Sequence, residues 1–128
     1  MKAIYQCPKC KKEKEISSIS VSTPIFRFQR CGCGKILRFN KGARFSMHYH
    51  IEKDETWYVN KGEFLLKKIN TKTAEVEEIH LSKGSIVRNL PGEPHQLISE
   101  TTGAEIFEVS TRHLDQDSYR VWKGDSQE

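Results

Sequence analysis

Long apolar runs are missing from this chain. Nothing in its 128 residues approaches the roughly 20 consecutive apolar residues of a membrane-crossing helix, so no membrane span is expected. No segment repeats apolar residues at the three- and four-residue spacing of an amphipathic helix, which turns attention to strands. No leader precedes the cysteine-bearing start, Met1-Lys-Ala-Ile-Tyr-Gln-Cys7, and a cytoplasmic protein is expected. Cysteine is absent after Cys33, so any thiolate site is confined to the first part of the chain. Disorder is excluded by composition. Hydrophobic residues make up 36% and charged residues 30%, enough for one core and a small appendage at this length.

Charge divides the chain in two. Residues 1–44 hold eleven Lys/Arg against two Glu, and residues 45–128 hold ten against fifteen Asp/Glu. This supports two units, a cysteine segment over 1–40 and a barrel with a short polar tail over 41–128. In the first unit Cys7-Pro-Lys-Cys10 is followed by Cys31-Gly-Cys33. Paired cysteines at such spacing let two backbone knuckles offer Cys7, Cys10, Cys31 and Cys33 to one structural zinc, and the segment resembles a zinc ribbon. A disulfide pair or redox-active thiols are the competing readings; the small core available to so short a segment favours the zinc. Strands are expected at Ile16–Thr23 and Ile25–Gln29, split at Pro24. Lys9, Lys11, Lys12, Lys14, Arg27, Arg30, Lys35 and Arg38, with Phe26 and Phe28 to stack bases, make nucleic acid one partner for this unit. A solvated basic face, or one that packs beside the acidic barrel, explains the same residues.

The second unit reads as a series of short strands near Ile36–Asn40, Arg44–His50, Thr56–Asn60, Glu63–Asn70, Ala74–Leu81, Ser85–Asn89, His95–Ser99 and Glu105–Ser110. Turn residues separate them at even intervals, the pattern of an all-β sandwich or barrel. Trp57 and Tyr58 are adjacent, so only one of them can face inward. The end, Lys123–Glu128, is polar and expected to be mobile.

Within that unit, potential metal ligands cluster. His48 and His50 are two apart on a strand, so both imidazoles project from one face, and Glu55 follows after a turn. His95 opens a later strand. These residues resemble the cupin family. Gly42, His48, His50, Glu55 and Gly62 fill every fixed position of its first motif, G-x5-H-x-H-x4-E-x6-G. Gly84, Gly92 and His95 match its second, in which Leu90 replaces a proline and Ser99 an asparagine. The resemblance implies a jelly-roll (double-stranded β-helix) barrel with a divalent metal (Zn, Mn, Fe, Co or Ni) held by His48, His50, Glu55 and His95. It also implies a homodimer.

The stretch His48–Val59 is similar to the type II mannose-6-phosphate isomerase cupins, and residues Glu105–Arg120 loosely follow the end of those domains. That resemblance implies aldose–ketose isomerisation of a sugar or sugar phosphate: a metal polarises the carbonyl and neighbouring hydroxyl while a base moves a proton. A metal-bound hydroxide or Glu108 is expected to serve as that base; a surface strand residue is the other reading of Glu108. Arg44, Arg88, Arg112 and Arg120 are candidates to grip an anionic group, with Arg44 and Arg88 nearest in sequence to the ligands. Two other readings stay open. One is an iron or manganese dioxygenase of the same fold, which would want an apolar pocket. The other is a non-enzymatic metal-binding or nucleic-acid- or protein-binding module that works through the basic segment.

Overall fold

The computed structural model describes residues 35–111, 114 and 116–125, together with the backbone of three earlier strands, β1 (Ala3–Gln6), β2 (Glu13–Ile16) and β3 (Ile25–Arg27). Cys7, Cys10, Cys31 and Cys33 lie outside the described residues, and so does the zinc ribbon expected of them. The expected Ile16–Thr23 strand falls outside as well, apart from Ile16, which ends β2.

Nine strands follow among the described residues: β4 (Lys35–Phe39), β5 (Met47–Tyr49), β6 (Glu55–Lys61), β7 (Phe64–Ile69), β8 (Val76–Leu81), β9 (Ile86–Asn89), β10 (His95–Ser99), β11 (Ala104–Ser110) and β12 (Tyr119–Trp122). With β3 they form two five-stranded antiparallel sheets, ordered β12-β5-β10-β7-β8 and β3-β4-β11-β6-β9. This is the all-β jelly roll that the strand pattern and motifs implied. Eight of the nine were expected, β10 with the same ends and the others with shifted ones. The seven-residue strand expected over Arg44–His50 shortens to β5, preceded by an isolated bridge between Arg44 and Ile98. β12 was not expected. Gly124 and Asp125, assigned to a mobile tail, are instead held: Gly124 is buried and the Asp125 carboxylate accepts the Arg44 N–H at 2.8 Å.

Alternation along the strands sorts side chains between the inside and outside of the barrel. Leu37, Phe39, Val59, Phe64, Leu66, Leu81, Leu97, Ala104 and Ile106 fill one end of the interior and are at most 5% exposed. Phe39 meets Phe45 and Phe64 edge-on, with centroids 5.6 and 5.1 Å apart. Burial of side chains this size stabilises by about 1.5–3 kcal/mol each. Trp57 faces inward at 2% exposure and Tyr58 outward at 39%, as their adjacency required.

Gly62 directly follows β6 with φ at +80°, a left-handed conformation that glycine adopts without steric cost. A β-carbon there would sit 2.7 Å from the Ala104 Cβ and 2.5 Å from Thr101 Oγ1. The turn therefore needs glycine both for its backbone angle and for its space.

Candidate metal centre

Above the apolar end, the interior turns polar. His48 on β5 and His95 on β10 are direct cross-strand partners, so their rings share the inner face. Their centroids are 4.8 Å apart, and His50, just past β5, lies 5.0 Å from His48 and 5.7 Å from His95. One ring nitrogen from each residue falls within 4.8 Å of the others.

The orientation of the three rings is set by main-chain carbonyls. His48 Nδ1 lies 2.8 Å from the Ser46 carbonyl, His50 Nδ1 2.6 Å from that of Asp117, and His95 Nδ1 2.8 Å from that of Glu93. A carbonyl can only accept, so each Nδ1 carries the hydrogen. In the neutral ring Nε2 then keeps its lone pair. The inward-facing His95 Nε2 is buried without a hydrogen-bond partner, and Glu55 Oε1 stands 2.9 Å from it. A divalent cation coordinated by both atoms, or a proton on Nε2, satisfies this contact. The donor set, three imidazoles and a carboxylate, suits a divalent ion of the borderline class. The residues present fit such an ion.

Titration follows the same geometry. Burial, then the neighbouring His95, lowers the His48 pKa from 6.5 to about 3, so the ring stays neutral and available as a ligand. Burial also lowers His50. Burial alone would raise Glu55, but the contact with His95 and the charge of Lys53 outweigh it and hold the carboxyl well below its ordinary range.

A second layer of charge surrounds Glu55. Lys53 is buried, with its side chain 4% exposed; its Nζ lies 3.1 Å from Glu55 Oε2 and 3.4 Å from Glu108 Oε2. Lys35 reaches Glu108 Oε2 at 3.0 Å, and Trp57 Nε1 donates to Glu108 Oε1 at 3.0 Å. Asn89 completes the set with a long contact of 3.4 Å to Glu55 Oε1. Sequence reading missed Lys53 and Asn89. A lysine in a loop is ordinarily solvated, and nothing local marks this one. Asp117 lies in the Glu105–Arg120 stretch that loosely follows the end of the isomerase cupins, and its carboxylate accepts the N–H groups of Ile51, Glu52 and Lys53.

The remaining sequence candidates separate by face. Glu108 is buried at 3% exposure, and its contacts to Lys35, Lys53 and Trp57 occupy both oxygens. Arg88 lies opposite Thr56 on the outer face and forms a two-pronged pair with Asp54, at 3.1 and 2.6 Å. Arg44 is the bridge partner of Ile98, also on the outer face, and its Nε stands 3.5 Å from Asp125. Arg120 of β12 is the cross-strand partner of His48 and so shares the face of the metal-site rings, where it is exposed. Lys68 stands opposite His95 on the same face and pairs with Glu93 at 3.0 Å. Arg112 lies outside the described residues. Of the basic residues proposed for nucleic acid, Lys35 turns inward and Arg38 donates to Glu105. No helix among the described residues is long and apolar enough to cross a membrane.

Comparison with known proteins agrees with this fold. Residues 35–110 match the family described as Cupin domain. Among solved structures, the chain resembles the capsular polysaccharide assembling protein CapF from Staphylococcus aureus, with 18% identity, a TM-score of 0.63, and coverage of 82% of this chain and 33% of that one. KdgF from Halomonas sp. aligns at 18% identity and TM-score 0.61, covering 77% of this chain and 87% of that one. Oxalate decarboxylase from Bacillus subtilis aligns at 17% identity and TM-score 0.60, covering 81% and 33%. The chain thus spans about a third of CapF and of the decarboxylase. A search of curated proteins finds no match.

Proposed function

Because the chain belongs to the cupin family, its domain spanning residues 35–110, we propose that it is a metal-dependent enzyme acting on a carbohydrate or sugar phosphate. The observation that carries this reading is the set of three imidazoles, each with Nδ1–H on a main-chain carbonyl, whose remaining nitrogens meet beside Glu55. His48, His50, His95 and Glu55 would hold one divalent ion. When bound, such an ion polarises a carbonyl or hydroxyl oxygen of the substrate.

The chain's own groups suit a polar substrate. Lys53, Glu55, Asn89 and Glu108 line the wall next to the site, whereas oxygen chemistry on an apolar substrate would want an apolar one. Arg120 sits on the site's face, exposed, and its guanidinium offers forked donors to a phosphate or carboxylate. It takes the role expected of Arg44 and Arg88, which face outward against carboxylates. Glu108 was expected to move the proton; gripped by two ammonium groups and an indole N–H, it is better assigned to holding Lys53 and Trp57 in place. The description of the CapF neighbour as a capsular polysaccharide assembling protein supports the carbohydrate class.

The test is metal content, then turnover. Wild type and a His48→Ala/His50→Ala variant are compared by elemental analysis, and the loaded protein is offered a panel of aldose phosphates with product analysis, and separately assayed for O2 uptake. An ion lost in the variant, with sugar isomerisation and no O2 uptake, is expected. Equal metal content in the two proteins would overturn the reading. O2 uptake without isomerisation would transfer it to the dioxygenase class.

A further inference from the structure

Residues 116–125 lie beyond the matched domain, yet they touch the elements that carry the site at several points. β12 pairs with β5, and Tyr119 stacks on Tyr49 with centroids 5.3 Å apart. The backbone at Gly124 runs against that of Phe45 and Ser46 so closely that a β-carbon would overlap both. Asp125 binds Arg44 through its main-chain N–H, at 3.2 Å, and through its carboxylate.

Asp117 makes the most direct connection. Its main-chain carbonyl takes the His50 Nδ1 hydrogen at 2.6 Å. Its carboxylate accepts from Ile51 at 2.8 Å, from Glu52 at 3.1 and 3.2 Å, and from Lys53 at 3.0 Å. One buried residue therefore holds the imidazole at the start of the loop and three consecutive amides after it, ending on the residue whose ammonium sits between Glu55 and Glu108.

We propose that Asp117 is a positioning residue of the metal centre, so that the segment after the barrel, and not the barrel alone, sets His50 and Lys53. The inference rests on reading the three imidazoles as a metal site. Asp117 touches no reacting atom; it acts by fixing the tautomer and direction of His50 and the path of the 51–53 loop. Partners of metal-bound imidazoles typically change metal affinity by about 10–100-fold when altered.

Asp117→Asn is the informative change. It keeps the main-chain carbonyl and the shape, but whichever way the amide turns, its NH2 faces a main-chain N–H. Three readouts follow: Co2+ and Zn2+ titration, amide hydrogen exchange at residues 51–53, and 15N NMR of the His50 ring in metal-free protein. We expect metal affinity to fall at least about tenfold, the three amides to exchange faster, and His50 to lose its single Nδ1–H tautomer. Asp54→Asn is the control in the same loop; its carboxylate faces Arg88 outside the barrel, and metal affinity should stay within twofold. If Asp117→Asn does not fold, Asp117→Ser is measured in its place. Affinity within twofold of wild type in the folded variant overturns the proposal. If wild type itself takes no metal, the metal reading fails, and the NMR and exchange data decide the role of Asp117. An unchanged tautomer with unchanged amide protection then overturns it as well.

Discussion

Replacing Lys53 by methionine removes the charge at the centre of the buried network and keeps most of the volume. At an effective dielectric near 20, unit charges separated by the observed 3.1 and 3.4 Å attract by about 5 kcal/mol each. Desolvation of the ammonium offsets much of that, and the variant leaves two buried carboxylates short of a partner. The expected net loss is about 3–5 kcal/mol, the usual cost of breaking a buried ion pair from one side. For a domain of this size that is a fall in Tm of about 10–20 °C. A divalent ion would replace part of the missing charge beside Glu55, so metal should raise the Tm of the variant more than that of wild type. Thermal unfolding with chelator and with added Zn2+ measures both effects. A metal-free variant within 2–3 °C of wild type (about 1 kcal/mol or less) would refute the claim that Lys53 neutralises the layer.

The other predictions concern single contacts. Gly62→Ala forces a left-handed alanine into the space of Thr101 and Ala104 and should cost about 2–4 kcal/mol by denaturant unfolding. His48 is charged below pH 6.5 in the unfolded chain but only near pH 3 in the fold. Its contribution to stability is therefore complete above pH 6.5 and declines as the pH falls towards 3. Metal-free protein should lose up to about 1.4 kcal/mol per pH unit from this ring, measured as denaturant midpoints between pH 7.5 and 4. Arg120→Gln should raise KM for an anionic substrate several-fold and leave metal content unchanged; an unaltered KM would remove Arg120 from the site.

Much of this centre can be seen in the chain before folding because its signals are local. His48, His50 and Glu55 lie within one strand–turn–strand stretch, and His95 follows a Pro-Gly turn, so motif spacing alone groups them. That Trp57 and Tyr58 take opposite faces needed only the two-residue period of a strand; which of them turns inward did not follow from it. Lys53 could not be read this way. Its burial depends on Glu108 arriving on β11, and Glu108 in turn on Lys35 of β4, contacts made only when the sheet closes. β12 was hidden for another reason. Tyr119–Trp122 is four residues long and lies between polar stretches, and its stability comes from pairing with β5 rather than from its own composition. The arginines misled because sequence proximity to a ligand does not set the face of a strand; Arg88 and the inward-facing Asn89 are neighbours on opposite sides.

The polar layer also has a simple electrostatic total. Lys53 offsets Glu55, Lys35 offsets Glu108, and burial disfavours the charged forms of His48 and His50. The protein therefore cancels its own charge before any ion arrives. A divalent cation entering this layer keeps both of its positive charges uncompensated in a place where water is scarce, and those charges are left to be met by whatever enters through the mouth. A neutral sugar would meet them with dipoles alone; a phosphate or carboxylate would meet them with charge. With an ion bound at the proposed site, a preference for an anionic substrate would begin in the pairing of Lys53 with Glu55 and of Lys35 with Glu108.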